Sequence, residues 1–187
     1  MAIQSPENCR QCRLAREGIN PVSGEGRKMA PVMFIGRDPG VQENTLGRPF
    51  VGPSGKFLRA ELEHFFDDSN YYITNLVKCH TKDNIGPTKN EMILCRGFLM
   101  SEIEEVRPAY IVALGKTVAL ALITDYFSID NLNLKGRNMS EISGYQFVVE
   151  FDDISLRVVP TYHPSPRNMD KYDEIRRVIG MVAELVS

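Results

Sequence analysis

Four cysteines are the residues in this sequence best suited to bind a metal. Cys9 and Cys12 form a close Cys-x-x-Cys pair, and Cys79 and Cys95 follow far downstream. In an intracellular chain disulfides are disfavoured, so such a pair indicates metal or redox chemistry. A thioredoxin-type pair would follow a strand, whereas this one lies in a polar segment. Four thiolates suit a four-cysteine site, and spacing alone leaves both Zn²⁺ and a [4Fe–4S] cluster open.

A second set of reactive side chains lies at the ends of predicted strands. Asp38 follows an apolar run that ends in glycine, Asn75 lies in a second run, and His163 follows a third. The carboxyl ends of parallel strands meet at one edge of a sheet, where ligands bind. The sequence therefore predicts a site that combines a carboxylate, an amide and an imidazole.

The elements that must position these residues alternate between strand and helix. Apolar runs predict strands over 30–36, 71–77 and 110–114, and a late hairpin over 145–151 and 155–161. Helical spacing predicts helices over 56–66, 88–106, 116–125 and 170–186, with Thr88 and Glu91 as a capping box. Such alternation predicts an α/β fold, a three-layer α/β/α arrangement around a mainly parallel four-stranded sheet. One domain over 1–187 is expected, with an N-terminal arm over 1–29 that carries two of the cysteines.

Composition narrows the class of protein. Hydrophobic residues make up 43% and charged residues 25% of the chain, as in a globular protein. No apolar run approaches the roughly 20 residues of a membrane span, and no signal peptide is evident, so we expect no membrane contact and a cytoplasmic location. The net charge of −2 does not favour a generally basic nucleic-acid binder, so any DNA contact must come from a local patch.

Several motifs in order resemble one enzyme family. They are CRQC, FIGRDPGVQENTLGRPFVGPSGK, YYITNLVKC, PTKNEMILC, VRPAYIVALG and YHPS, and together they span about 9–180. This arrangement is similar to the family 4 uracil-DNA glycosylases. The resemblance implies a [4Fe–4S] cluster on the four cysteines. It also implies that the substrate is DNA containing uracil, from which hydrolysis of the N-glycosidic bond releases uracil and leaves an abasic site.

The resemblance also implies roles for single residues. Phe50 matches the aromatic ring on which uracil stacks, and Asn75 matches the amide that pairs with the uracil edge. His163 matches the donor to uracil O2, a role that a neutral imidazole can fill if an acceptor holds its other nitrogen. The loop over 36–40, which reads GRDPG, supplies the remaining substrate-binding candidates, Gly36, Arg37 and Gly40.

The same loop departs from the family pattern. Where family 4 reads G-E-A-P-G or G-E-G-P-G, this chain has Arg37 and Asp38 at the second and third positions. Asp38 instead resembles the water-activating aspartate of the G-Q-D-P-Y loop in family 1. We therefore expect Asp38 to act in catalysis, with Glu43 as a second candidate. The Arg37 change leaves open a glycosylase for other deaminated bases, or a DNA-binding or replication-associated protein with weak or no catalysis.

Contacts to the DNA backbone are expected from residues beside these motifs. Ser165 is expected to cap the following turn and contact a phosphate, and Arg167 lies where family 1 carries a wedge residue. Ser54 and Lys56, in the GPSGK stretch, complete the predicted set. We expect a monomer of viral or prokaryotic origin, and the sequence identifies no replication or repair partner.

Overall fold

The structure is a computed structural model that describes residues 6–16, 19–66, 70–129 and 133–187. Residues 1–5 and 17–18 of the predicted N-terminal arm lie outside the described residues. Within the described residues, no helix is both long enough and apolar enough to cross a bilayer.

A six-stranded sheet forms the centre of the fold, with the order β1-β3-β2-β4-β6-β5. The four inner strands are parallel to one another, and each edge strand pairs antiparallel with its neighbour. The strands are β1 (Glu25–Gly26), β2 (Val32–Gly36), β3 (Tyr71–Asn75), β4 (Tyr110–Leu114), β5 (Phe147–Phe151) and β6 (Ile154–Thr161). The prediction of four strands was wrong, because β1 is too short to show a periodic pattern and both strands of the late hairpin join the sheet.

Seven α-helices occur in the described residues, together with several 3₁₀ and π-helical turns. They are α1 (Arg13–Arg16), α2 (Val41–Leu46), α3 (Pro53–Phe65), α4 (Lys89–Val106), α5 (Lys116–Leu120), α6 (Met139–Ile142) and α7 (Tyr172–Leu185). The predicted capping box is confirmed: the Glu91 backbone N–H donates to Thr88 Oγ1 at 3.2 Å, and the Glu91 carboxylate accepts from the Thr88 N–H at 2.8 Å.

Two helix predictions and one loop prediction differ from the structure. The 116–125 helix is α-helical only to Leu120 and continues as a π-helical turn over Ala121–Tyr126. The last helix is preceded by a 3₁₀ turn over Pro166–Lys171. Helix α2 lies inside a segment that glycine and proline content alone predicts to be a loop.

Alternate residues of the inner strands face opposite cores, which produces the three layers. Met33 and Ile35 of β2 belong to a core that includes Leu99 of α4. Val32 and Phe34 belong to a second core, built with helices α3 and α7. The α/β/α class expected from the alternating pattern is therefore confirmed, because fully buried parallel strands need helices on both faces.

Candidate functional site

A cleft of about 710 Å³ opens at the carboxyl ends of the parallel strands. Ten of the residues predicted to contact substrate or DNA line it: Arg37, Asp38, Gly40, Glu43, Phe50, Ser54, Asn75, His163, Ser165 and Arg167. Two other predicted residues do not. Gly36 lies beneath the cleft at the end of β2, and Lys56 is exposed on α3. The topology accounts for this grouping, because Gly36 pairs with Asn75 and Leu114 pairs with Thr161 across the sheet.

Gly36 lets an aromatic ring and an amide meet at one point. A Cβ atom at this position would lie 2.4 Å from Asn75 Oδ1 and 2.6 Å from Phe50 Cζ. Real side chains do not approach so closely, so any residue other than glycine would displace one of the two groups. The absent side chain therefore brings the Phe50 ring and the Asn75 amide together.

The backbone of Phe50 is held in a conformation that bulky residues rarely adopt. Its φ of 52° lies in the left-handed region, and its side chain is buried. Arg59 stabilises this conformation by donating from Nε to the Phe50 carbonyl at 2.8 Å and from Nη2 to the Pro49 carbonyl at 2.7 Å. Gly55 allows α3 to pack closely against the backbone of Phe50, since a Cβ there would lie 2.1 Å from the Phe50 carbonyl oxygen. Strain of this kind is found preferentially at functional sites.

Asn75 is fixed through its backbone and left open at its side chain. Its residue surface is 3% exposed, yet neither amide atom has a hydrogen-bond partner in the described part of the chain. Its carbonyl accepts from Lys78 Nζ at 3.0 Å, and the same ammonium group donates to Thr74 and Glu102, each at 2.6 Å. The amide therefore remains available to a ligand while the strand end that carries it is anchored.

The Asp38 carboxylate is held by two donors. Arg37 Nε donates to Oδ1, and the Thr81 hydroxyl donates to Oδ2 at 2.5 Å. The Asp38 side chain is 5% exposed, whereas that of Arg37 is 34% exposed. The carboxylate thus has a fixed orientation in the wall of the cleft.

Glu43 joins α2 to the segment that follows it. Its Oε1 atom accepts from the backbone N–H groups of Val51 and Gly52, at 2.9 and 2.7 Å. A Cβ at Gly40 would lie 2.5 Å from the second oxygen, Oε2. The carboxylate therefore organises the loop around Phe50 through one oxygen, and its other oxygen faces Gly40 in the cleft wall.

His163 lines the cleft directly after β6. Burial and the positive charge of Arg37 lower the pKa of its imidazole, and the Asp38 carboxylate opposes that shift. The ring is therefore neutral at pH 7. No acceptor holds either ring nitrogen among the described residues, which differs from the arrangement expected from the sequence; the residue is held instead through its carbonyl, which accepts from Asn168 Nδ2 at 2.9 Å.

The rim of the cleft is more basic than the chain as a whole. Arg37, Lys116 and Arg167 all line it, and Arg167 is exposed. Ser165 occupies the N-cap position of the following turn, as predicted, but its side chain makes no capping hydrogen bond. The turn closes through the backbone instead, because the Asn168 N–H donates to the Ser165 carbonyl at 2.9 Å. The Ser165 hydroxyl remains open to the cleft.

A second pocket brings the four cysteines together. Cys9, Cys12, Cys79 and Cys95 all line it, beside the apolar side chains of Val77 and Phe98. Cys79 and Cys95 are buried, at 5% and 8% exposure. Within the described residues, no set of three or more Cys, His, Asp or Glu side chains is already gathered closely enough to hold a metal ion.

The electrostatics of this pocket fit a cationic group. Burial, together with the nearby Cys95, Cys12 and Cys9 thiols, raises the pKa of Cys79 to about 12. Burial likewise raises the pKa of Cys95, against the opposing effect of Lys78. Cys79 and Cys95 therefore resist ionisation, and a positively charged partner is needed to stabilise their thiolates. The donor set therefore fits a four-cysteine metal or cluster site in type and number.

Comparison with known proteins identifies the family. A sequence model of the uracil DNA glycosylase superfamily matches residues 23–181. The chain belongs to this superfamily. Among its relatives, the type-4 uracil-DNA glycosylase of Saccharolobus solfataricus is 35% identical over 159 residues, which cover 84% of this chain and 71% of that protein. The type-4 enzyme of Thermotoga maritima is 34% identical over 174 residues, covering 92% and 84%. That of Archaeoglobus fulgidus is 32% identical over 179 residues, covering 92% and 87%.

Several residues of this superfamily member reach the site without having been predicted there, among them Thr81, His80 and Lys116. Thr81 contacts Asp38, and His80 Nδ1 lies 2.8 Å from the Pro39 carbonyl oxygen. Lys116 lines the cleft at the start of α5. For Lys116 a signal existed, because it directly follows the Leu114-Gly115 strand end. For Thr81 and His80 the contacts span more than 40 residues of sequence, and no local pattern reports them.

Proposed function

We propose that this chain hydrolyses the N-glycosidic bond of deoxyuridine in DNA, as a uracil-DNA glycosylase of base excision repair. The observation that carries the proposal is the junction at Gly36, where the buried Phe50 ring meets the Asn75 amide, which has no hydrogen-bond partner among the described residues, in a cleft that also contains His163. The type-4 relatives support the same activity. Because the reacting bond is inaccessible within a duplex, the nucleotide must first leave the base stack.

Base recognition is assigned to Phe50 and Asn75. An aromatic face stacks on any planar base, so Phe50 supplies affinity more than selectivity. An amide offers one acceptor and two donors, so Asn75 can accept from uracil N3–H and donate to O4 together. Cytosine presents the reverse pattern at these two atoms and leaves the amide mismatched.

Bond cleavage is assigned to Asp38 and His163. Water attacks C1′ of the deoxyribose and gives one proton to the Asp38 carboxylate, while the C1′–N1 bond breaks and its electron pair leaves with the uracil anion. The Asp38 carboxylate stabilises the positive charge that develops on the sugar and orients the water. A neutral His163 donates a hydrogen bond to uracil O2 as negative charge develops there. Glu43, through its second oxygen, is the alternative group for positioning water.

DNA binding is assigned to the basic rim and the residues beside it. Arg37, Arg167 and the Ser165 hydroxyl are suited to phosphate contacts, with Ser54 and Lys56 extending the contact along α3. Few such contacts are compatible with a net charge of −2. We further propose that the chain acts as a monomer inside the cell, where its substrate is; sedimentation of the purified protein tests the monomer.

The cysteine pocket is proposed to hold a [4Fe–4S] cluster through Cys9, Cys12, Cys79 and Cys95. When bound, the cluster would supply positive iron that neutralises the four thiolates, and its ligands would join the N-terminal arm to α4 and to the segment that follows β3. Purified protein should show broad visible absorbance together with iron and sulfide. Protein that contains zinc and lacks this absorbance would contradict the proposal.

The activity is tested by cleavage of a labelled oligonucleotide that carries one deoxyuridine, followed by alkali to break abasic sites. Matched oligonucleotides with thymine, hypoxanthine and xanthine measure base selectivity. We expect cleavage at uracil alone. The variants Asp38→Asn and His163→Ala should each lower the rate constant by about 10²-fold or more. Full activity of either variant would remove that residue from the mechanism.

The ion pair between Arg37 and Asp38 is the observation that favours a second candidate, a DNA-binding protein with weak catalysis. Arg37 already occupies one oxygen of the proposed catalytic carboxylate. Retained DNA binding without cleavage of any of the four bases would support this alternative. Cleavage of hypoxanthine or xanthine would instead assign the altered selectivity to the Arg37 position.

A further inference from the structure

We propose that Thr81 is a positioning residue for this reaction, which holds the Asp38 carboxylate in its working orientation. The inference rests on the proposed catalytic role of Asp38. Its basis is the hydrogen bond of 2.5 Å from the Thr81 hydroxyl to Asp38 Oδ2. Thr81 is 2% exposed, so water does not compete for this contact.

The direction of the Thr81 hydrogen bond is set by a neighbouring donor. The Gly86 N–H donates to Thr81 Oγ1 at 3.2 Å. A hydroxyl has a single proton. Because Thr81 Oγ1 accepts from the Gly86 N–H, its own proton cannot point toward Gly86. The proton therefore points at Asp38, and the hydroxyl serves as a fixed donor to a carboxylate, which is among the stronger hydrogen bonds in proteins.

The segment that carries Thr81 runs beside the loop that carries Asp38 and contacts each of its residues over 36–39. The backbone N–H groups of Leu76 and Val77 donate to the carbonyls of Gly36 and Arg37, at 2.9 and 3.1 Å. Further along, the His80 ring contacts the Pro39 carbonyl and Thr81 contacts Asp38. All four residues over 36–39 are thus held by the segment over 76–81. The hydrogen bond from Thr81 to Asp38 is therefore one of several contacts that fix the loop over 36–39.

Thr81 and Arg37 differ as partners of the same carboxylate. The Arg37 side chain is 34% exposed and lies in the cleft, where it can move toward a phosphate. Thr81 is buried and is held on both sides by Gly86 and Asp38. When DNA draws Arg37 away, Thr81 keeps Asp38 oriented, so Thr81 is the donor that persists through the reaction.

The test compares Thr81→Val, which has the same shape without a hydroxyl, with Thr81→Ser, which keeps the hydroxyl. On the deoxyuridine oligonucleotide, Thr81→Val should lower kcat by roughly tenfold or more with little change in KM, because misplacement of a reacting group affects the chemical step. Thr81→Ser should retain most of the rate. If Thr81→Val does not fold, Thr81→Ala removes the hydroxyl without adding bulk and gives the same comparison.

A double-mutant cycle separates positioning from a general structural effect. In a protein that already carries Asp38→Asn, Thr81→Val should have almost no further effect on kcat, because the group that it positions is gone. A structural role would lower the rate by the same factor in both backgrounds. Equal factors, or a full rate for Thr81→Val alone, would overturn the inference.

The matched control is Thr161→Val. The Thr161 hydroxyl is buried and has no hydrogen-bond partner among the described residues, so this change should leave kcat unaltered. The catalytic role of Asp38 and the positioning role of Thr81 are refuted by different results. A full rate for Asp38→Asn refutes the role of Asp38 itself, whereas a slow Asp38→Asn with a full-rate Thr81→Val refutes the Thr81 inference alone.

Discussion

Two ion pairs lie near the cleft in opposite environments. Lys78 and Glu102 form a pair at 2.6 Å whose side chains are 1% and 2% exposed. Arg37 and Asp38 form a pair in the cleft wall, where the arginine is 34% exposed. Both pairs adjoin a residue of the proposed site, since Lys78 also donates to the Asn75 carbonyl.

The buried pair uses its hydrogen-bonding groups entirely within the protein. Lys78 donates to Thr74, Asn75 and Glu102, and the second carboxylate oxygen of Glu102 accepts from the Gly24 N–H at 2.9 Å. A buried charge is tolerated when it is satisfied in this way. The pair therefore fixes the strand end behind Asn75 and presents no group to a ligand.

The pair in the cleft has the opposite character. Its carboxylate accepts from Thr81 inside the protein, and its arginine is partly exposed in the cleft. One pair thus lies entirely within the scaffold, whereas the other leaves a charged group accessible to a ligand. Substitutions in the two pairs should therefore separate stability from activity.

Removing the buried ammonium group should have the largest effect. Lys78→Met leaves the Glu102 carboxylate buried without its countercharge, which should lower the free energy of unfolding by about 3–5 kcal/mol. Urea unfolding followed by circular dichroism measures the loss. Adding Glu102→Gln to Lys78→Met should recover part of it, because no uncompensated charge remains. A loss below about 1 kcal/mol would mean that water reaches the pair.

The matching change in the cleft should have a small effect on stability. Arg37→Met removes a partly exposed partner and leaves Asp38 bonded to Thr81, so the free energy of unfolding should change by about 1 kcal/mol or less. The same urea experiment compares it directly with Lys78→Met. If both variants lost equal stability, the distinction between a scaffold pair and a substrate-facing pair would be wrong.

Patterns along the sequence predicted the layers and the main elements of this fold. The continuous apolar run of β2 and the capping box at Thr88 were readable because each depends on residues close together in the chain. The edge strand β1 was missed because two residues cannot show a period. Helix α2 was missed because it lies among glycines and prolines, which predict a loop.

The grouping of site residues was more predictable than their contacts. Strand ends in a parallel sheet meet at one edge, so the meeting of Asp38, Asn75 and His163 in one cleft follows from topology. The donor to Asp38 could not be found this way, because Thr81 is 43 residues away in the sequence and lies beyond the end of the strand. The Arg59 contacts that hold Phe50 were missed for a different reason: they depend on a left-handed backbone conformation that nothing in the residue type predicts.

The smallest expected effect concerns the pH dependence of stability through His163. Burial, and then the charge of Arg37, lower the pKa of the folded imidazole below its usual value of 6.5. As the pH falls through 6.5 the unfolded chain binds a proton at this site before the folded protein does, which favours unfolding. Stability should therefore decline on acidification from about 6.5 down to the folded pKa, and this contribution should be constant below it.

The comparison of wild type with His163→Gln isolates this contribution, since the two proteins differ only at this position. Urea unfolding between pH 7.5 and 5 should show wild type losing stability relative to His163→Gln as the pH falls. The decline should be smaller when both proteins also carry Arg37→Met, because the second cause of the lowered pKa is then absent. If wild type instead gained stability on acidification, the Asp38 carboxylate would dominate the environment of His163, and the ring would be charged in the working enzyme.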